Sequence, residues 1–428
     1  MKNGKKEGGK QLIKNTVGGV IGNALEWYDF AVFGYFAPVI GAQFFPSEDK
    51  LAELINVFGV FAAGYLMRPL GGMLFGYIGD KLGRKKALEL SVLLMAIPTT
   101  LVGLLPTYAQ VGVFAAVLLV VLRLAQGVSV GGELIGSIAF ITEVAPPKRR
   151  GYFGSWTLFS AVGGIMLGSL VAAIMHGLMS EESLKSWGWR VPFLLGIGIG
   201  GFSFWMRTGL TETEKFEKSK KEGGTVKNPV IDVIKEMPGT ILHLAAIVIL
   251  LGGGFYMLFV WMPTYLSQIV KPHVPHALGV NTVAMIVLML AIPFMGSLSD
   301  RFGRKKVITL SSLGFVLLGY PVFMMLDRGV LHLALIAQLI CAVLMAGIQG
   351  AVPATMMEMF PTRFRFSGVA IGYNITLAVF GGATPLVCTW LIKATGDIAA
   401  PAYYLVAMSV ASMIAALTIK DRHGEPLQ

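Results

Sequence analysis

Apolar runs of about twenty residues, parted by short breaks rich in lysine and arginine, repeat along the whole chain. A bilayer core of ~30 Å requires about 20 apolar residues per helix. On that ruler the runs predict twelve spans. Six lie near 16–44, 54–78, 87–105, 111–141, 152–176 and 190–208. Six more lie near 241–268, 277–298, 307–326, 332–357, 367–392 and 402–419. A polar stretch from Thr208 to Gly239 separates the two sets. The expected fold is an all-α membrane protein of twelve transmembrane helices in two pseudo-symmetric six-helix bundles. The expected domains are an N-terminal bundle over 1–208, a cytoplasmic linker over 209–239 and a C-terminal bundle over 240–428. From Arg207 to Gly239 seven basic and six acidic residues leave the net charge near zero, which reads as a solvated tether, with a short surface helix as the alternative.

Composition agrees with a bilayer. The 428 residues are 55% hydrophobic and 14% charged, with a mean hydropathy of +0.70, whereas soluble domains carry about 25% charged residues. The net charge of +11 is concentrated in the breaks between runs, which makes it a topology signal and not a nucleic-acid surface. With both termini set inside, 27 of the 35 Lys and Arg fall on that side, six fall opposite, and Arg68 and Arg123 lie within spans. Both ends are therefore expected in the cytoplasm, the protein being a multi-pass membrane component. Met1 to Asn15 is polar and basic and the first apolar run is too long for an h-region, so no cleavable signal peptide is expected. Cys341 and Cys388 lie inside apolar runs as core thiols, supplying no zinc cluster or disulfide framework. None of the six histidines falls at mid-span, which argues against a histidine proton relay, and the chain lacks a P-loop motif for ATP. Neither an enzyme nor a metal site is expected.

Two stretches repeat. Gly76 to Lys86 carries Asp80, Gly83, Arg84, Lys85 and Lys86, and 220 residues later Gly296 to Lys306 carries Asp300, Gly303, Arg304, Lys305 and Lys306. Glu143-Val-Ala-Pro146 ends the fourth run and Glu358-Met-Phe-Pro361 the tenth, 215 residues apart. Such pairing marks an internal duplication. The second offset lays Arg123 over Gln338, so the halves share a frame but differ at mid-span.

An ionisable group at mid-bilayer costs ~2.5–3.5 kcal/mol and is a functional candidate by default. At 1.5 Å per residue, Arg68 lies ~18 Å from Asp80 and Arg123 ~18 Å from the start of the fourth span, both near the midplane. Glu26 and Asp29 lie ~18–22 Å from Lys14, at similar depth, and as an i,i+3 pair can face one way. Arg123, Gln126, Val130 and Glu133 are spaced 0, 3, 7 and 10, which puts the polar members on one stripe of a continuous helix. One reading is a buried lock of Arg123 with Asp29 or Glu26. The other is that Arg68 and Arg123 hold a substrate carboxylate while Glu26, Asp29 or Glu133 takes a proton. Arg68-Pro69 with Gly71 and Gly72 suits a bent span lining a cavity, or an arginine bonded only to freed carbonyls. Tyr256, Trp261, Tyr265, Gln338, Gln349 and Asn374 could form an uncharged wall; Gln126, Tyr256, Tyr265, Gln338 and Asn374 join the arginines as candidate substrate contacts. Asp80 and Asp300 at helix ends can accept from backbone donors at the N-terminus of a helix in the opposite bundle. Arg84 and Arg304 can reach Glu143 and Glu358, giving a cytoplasmic gate.

The Gly76–Lys86 stretch resembles the loop between the second and third helices of the major facilitator superfamily, and Gly296–Lys306 its echo between the eighth and ninth. Several other stretches resemble its metabolite–proton symporter branch, which includes proline/betaine, α-ketoglutarate and citrate transporters. They are Gly22-Asn-Ala-Leu-Glu26-Trp-Tyr-Asp29-Phe, Arg68-Pro-Leu-Gly-Gly, Arg123-Leu-Ala-Gln126-Gly-Val-Ser-Val-Gly-Gly-Glu133, Trp187-Gly-Trp-Arg190-Val-Pro-Phe and Phe380-Gly-Gly-Ala-Thr-Pro385. The resemblance implies secondary active uptake across a bacterial inner membrane by alternating access, with protons as coupling ion and no cofactor. The expected partners are a small carboxylate-bearing substrate, a proton and the lipid bilayer, with the protein a monomer. Glu26-Trp-Tyr-Asp29-Phe and Pro401-Ala-Tyr-Tyr404-Leu resemble the proline/betaine type, whereas Arg123 suits organic-acid members, the proline/betaine type having lysine there. The long coiled coil of some osmosensing members has no counterpart before Gln428, which argues against osmotic regulation. The antiporter glycine-proline pair has no counterpart in Ala161 to Gly168, which favours symport. The expectation is a proton symporter of an organic acid such as a di- or tricarboxylate, ahead of a zwitterionic osmolyte or amino acid. A proton-independent facilitator or exchanger and a non-transporting sensor are the remaining alternatives.

Overall fold

The structure, a computed structural model, describes residues 24, 27–82, 84–131, 133–208 and 229–427. Among these residues twelve long helical segments and no strand occur. The first six are α1 (27–44), α2 (Lys50–Leu66 and Arg68–Leu82), α3 (Arg84–Leu104), α4 (Val113–Ser129 and Glu133–Val144), α5 (Arg150–Leu178) and α6 (Val191–Thr208). The last six are α7 (Pro238–Ile269), α8 (Ala277–Phe302), α9 (Arg304–Leu326), α10 (Leu331–Glu358), α11 (Phe364–Thr395) and α12 (Ala400–Leu417). Among the described residues nine helices are long and apolar enough to cross a bilayer. Large apolar side chains such as Phe114, Ile197, Leu290 and Phe294 are exposed on the outside, where water would penalise them and lipid would not. The fold is that of a multi-pass membrane protein.

The helices that matter most for function are those that depart from regularity. α2 breaks at Met67, whose N–H reaches back to the Gly64 carbonyl at 3.3 Å. Pro69 causes the break, because it has no N–H to give the preceding turn. α4 breaks at Val130 and Gly131. The stripe from Arg123 to Glu133 expected of a continuous helix is therefore interrupted after Gln126; the Glu133 side chain lies outside the described residues. In α7 the turns at Leu250–Gly254, Tyr256–Trp261 and Tyr265–Ile269 are the wide i→i+5 kind, as are those at Leu377–Gly381 in α11. Such turns release carbonyls and shift side-chain register. Of the linker, 209–228 lies outside the described residues, while Pro229–Glu236 is a helix with Val233 buried, so this part is not the plain tether expected.

Backbone contact without side chains locks α2 to α4. A Cβ on Gly127 would strike the Gly64 carbonyl, one on Gly71 the Val128 carbonyl, and one on Gly131 the backbone of Gly71 and Gly72. Small residues let membrane helices approach this closely. Gly127→Leu is expected to force these helices apart and to remove the monodisperse species from size-exclusion chromatography in detergent. Gly59→Leu, where nothing lies within 4 Å of an added Cβ, is expected to behave as wild type in the same measurement.

Candidate functional site

The two breaks bring a compact polar cluster to the seam between the bundles. Arg68 and Arg123 have no solvent exposure. Arg123 Nη1 donates to Gln126 Oε1 at 2.7 Å, and its guanidinium lies 4.7 and 4.3 Å from the Phe30 and Phe33 ring centres. Gln126 Nε2 donates to Asp29 Oδ2 at 2.8 Å and to Thr99 Oγ1 at 2.7 Å. Arg123 and Asp29 therefore do not form the direct lock considered from the sequence; the Gln126 amide stands between them. That amide has one consistent orientation, since guanidinium can only donate and carboxylate can only accept. Asp29 Oδ1 and Arg123 Nε and Nη2 have no hydrogen-bond partner among the described residues.

Arg68 Nε donates to Asn374 Oδ1 of α11 at 3.3 Å, and Asn374 Nδ2 donates to the Gly131 carbonyl at 2.7 Å. Arg68 is thus held by a side chain of the opposite bundle and not by freed carbonyls alone. Its Nη1 and Nη2, with Trp27 Nε1, are buried donors without partners among the described residues. The guanidinium lies 5.3 Å from the Trp27 ring centre and 5.4 Å from that of Tyr65. Tyr65 and Tyr256 share a short hydroxyl–hydroxyl contact across the bundles, their rings edge-to-face at 5.2 Å, and Phe61 packs on both. An unmade hydrogen bond on a buried donor costs about 1–3 kcal/mol, more if the donor is charged. Three such donors in one place, walled by aromatic rings, are suited to an anionic oxygen pair.

Of the expected contacts, Gln126 joins Arg123 to Asp29, while Asn374 holds Arg68 and Tyr256 meets the Tyr65 ring on which Arg68 rests. Tyr265 is not: its hydroxyl donates to the Ile398 carbonyl at 3.1 Å and its ring packs on Trp261 and Phe323. Gln338 is turned away to the backbone, donating to the Leu258 carbonyl at 3.1 Å. Glu26 lies outside the described residues. Trp27, Phe30, Phe61, Tyr65 and Thr99 join the site without being among the expected contacts. Phe61, Tyr65 and Arg68 are spaced 0, 4 and 7, a one-face pattern that points to the aromatic wall.

At the end of the molecule that carries the repeated motif, Asp300 accepts from Gly151 N and Tyr152 N, both at 2.8 Å, and so caps the start of α5 from the other bundle. Arg304 pairs with Asp300 at 2.8 Å and with Glu358 at 3.2 Å. The side chains of Asp80 and Arg84 lie outside the described residues, and the partner found for Glu143 is Arg365, at 3.2 Å. Arg150 lies 3.7 Å from Glu358. The offset of 215 that lays Glu143 over Glu358 also lays Arg150 over Arg365, so the two pairs cross the seam reciprocally. At the opposite end Asp49, the N-cap of α2, meets Lys393 of α11 at 2.6 Å. The hydrogen bond from Lys393 and those from Ala52 and Leu51 hold the Asp49 carboxyl below its ordinary value. Between this pair and the arginines, Asn281 donates to the Phe259 carbonyl at 3.0 Å and to Ser169 at 3.3 Å, while Tyr35 reaches the same carbonyl at 2.8 Å. Cross-bundle contacts at both ends thus close over the cluster.

Comparison with known proteins agrees with this architecture. A "Proline/betaine transporter" of Salmonella typhimurium (strain LT2) is 34% identical over 427 residues, covering 98% of this chain and 85% of the relative. The "Glycine betaine/proline/ectoine/pipecolic acid transporter OusA" of Dickeya dadantii (strain 3937) matches with the same identity and coverage. Among solved structures, the proton:xylose symporter XylE bound to 6-bromo-6-deoxy-D-glucose superposes with a TM-score of 0.78 at 16% identity, covering 97% of each chain. The transporter FucP in its outward conformation gives 0.61 at 15%, covering 93% of this chain and 97% of that one. The Major Facilitator Superfamily profile matches residues 19–383 and, a second time, 270–428. With its twelve helices, its duplicated motif and these relatives, the chain belongs to the Major Facilitator Superfamily.

Proposed function

We propose that this chain is a proton-coupled symporter that imports a small zwitterion of the proline or betaine kind by alternating access. The observation that carries the reading is the set of donors without partners among the described residues, Arg68 Nη1 and Nη2 and Trp27 Nε1, beside the rings of Phe61, Tyr65 and Tyr256. A carboxylate satisfies the donors bidentately, and the aromatic faces attract a cationic nitrogen within about 6 Å. The organic acid expected first from the sequence has no use for the aromatic wall. The substrates named for the relatives, proline, betaine, ectoine and pipecolic acid, each join a carboxylate to a cationic nitrogen, and they support the second of the two expectations. Asp29, with Oδ1 unpartnered among the described residues, is assigned the proton, and Gln126 links it to Arg123. On this reading, with the Lys and Arg bias as its support, both termini lie in the cytoplasm, the motif end faces inward and the Asp49–Lys393 end faces outward. The bundles are taken as 1–208 and 240–428, with 209–239 between them, acting as a monomer.

Thermal shift of the purified protein with glycine betaine, proline, α-ketoglutarate and citrate tests the substrate class. A ligand at a hundred times its Kd stabilises by about 2.7 kcal/mol, and glycine betaine or proline is expected to do so. Stabilisation by the di- and tricarboxylates alone would overturn the zwitterion reading. Uptake of the stabilising compound into proteoliposomes is expected to rise with an inward proton gradient; equal rates with and without the gradient would make the protein a facilitator.

A further inference from the structure

Asn374 touches three things at once. Its Oδ1 accepts from Arg68 Nε on α2, its Nδ2 donates to the Gly131 carbonyl at the break in α4, and its own backbone belongs to α11 in the other bundle. The contact depends on absent side chains: a Cβ on Gly72 would lie within 4 Å of both the Gly131 carbonyl and Asn374 Nδ2. Immediately after Asn374, α11 enters its wide turns at Leu377–Gly381, and Gly382 packs directly on Tyr65. One segment of α11 therefore rests on Arg68, Tyr65 and the α4 break together.

We infer that Asn374 is a positioning residue that couples occupancy of Arg68 to separation of the bundles, and not a direct substrate ligand. The amide is already satisfied on both sides, which leaves it little to offer a substrate, whereas Arg68 keeps Nη1 and Nη2 for a carboxylate. A carboxylate that draws the guanidinium toward itself lengthens the Arg68–Asn374 bond. The amide then holds α4 alone, and the grip of α11 on the first bundle is weakened on one side. The inference rests on the reading that Arg68 holds the substrate carboxylate.

Two substitutions at Asn374 are expected to move KM in opposite directions. Asn374→Ala releases Arg68 from its protein partner, so KM for glycine betaine falls by about 3–10-fold, the size of one ordinary hydrogen bond, while the maximal rate falls because the seam no longer responds to binding. Asn374→Asp neutralises Arg68, so KM rises, with Asn374→Gln closer to wild type. A rise of KM in Asn374→Ala matching that in Arg68→Gln would make Asn374 a ligand and overturn the inference. Wild-type KM in Arg68→Gln would instead count against the substrate reading alone. A readout that needs no substrate stands beside these: spin labels on α4 and α11 are expected to show a broader distance distribution in Asn374→Ala than in wild type. An unchanged distribution would also overturn the inference.

Discussion

Arg123→Ala is expected to abolish uptake, by about a hundredfold or more, while the protein still inserts and purifies as wild type does. Arg123 is fully buried, yet among the described residues its one hydrogen-bond partner is Gln126, and its guanidinium lies over Phe30 and Phe33. Removing it leaves Asp29 without the cation that the Gln126 amide connects to it. A buried charge that loses its partner costs about 3–5 kcal/mol, equivalent to two or more orders of magnitude at 1.36 kcal/mol per tenfold. The aromatic seat tolerates the deletion sterically, so insertion should persist. Arg123→Lys keeps the charge and loses the fork, and is expected to retain uptake within about tenfold of wild type, since a single ammonium still forms a charge-assisted bond. Uptake of glycine betaine into proteoliposomes at matched protein content measures both; a wild-type rate in Arg123→Ala would remove this residue from the transport mechanism.

Arg304→Ala is the second large effect expected, and it acts on the gate instead of the site. Arg304 is buried and touches Asp300, Glu358 and Ser299. Its loss leaves the Asp300 carboxylate without its cation and Glu358 with only the longer contact to Arg150, against a cost of about 3–5 kcal/mol. Asp300 then no longer stays fixed on Gly151 and Tyr152, and the motif end opens. The expected result is a lower Tm, faster labelling of a cysteine placed at the start of α5 and net uptake below a tenth of wild type, with the same ligand still bound. Lys306→Ala, on the exposed side of the same helix, is expected to change none of these. Labelling at the wild-type rate in Arg304→Ala would show that the pair does not hold this end shut.

The spans were legible because a bilayer imposes a length on apolar runs, and expected and described boundaries differ by a few residues for most helices. Asp300 on the start of α5 was legible for a related reason: a carboxylate at one helix end and free N–H groups at another are a predictable match. The site was legible only in part. Its charges stood out because charge is rare at mid-span, but the direct Arg123–Asp29 pair assumed that facing charges meet, and Gln126 intervenes. Tyr265 is expected in the wall as an aromatic group of the same span, yet it lies nine residues, more than two helical turns, beyond Tyr256, where Ile398, Trp261 and Phe323 engage it. Arg150 and Arg365 were visible through the same offset that aligned the glutamates, but as members of basic breaks they read as topology signals. The Asn374 contact, by contrast, depends on where two helices break and how closely glycines let them cross, and no single-sequence period encodes that.

The reciprocal pairs Arg150–Glu358 and Arg365–Glu143 also bear on descent. Each arginine lies in one copy of the duplicated sequence and its partner in the other, so these two contacts are shared property of both halves. A charge reversal in one copy can be compensated only by a change in its sister, which ties the divergence of the halves together here. Gln338 opposite Arg123 has no such tie. The halves were free to drift apart at the core while the rim kept them matched, and a chain that began as two equal repeats could acquire one charged half without losing the ability to close.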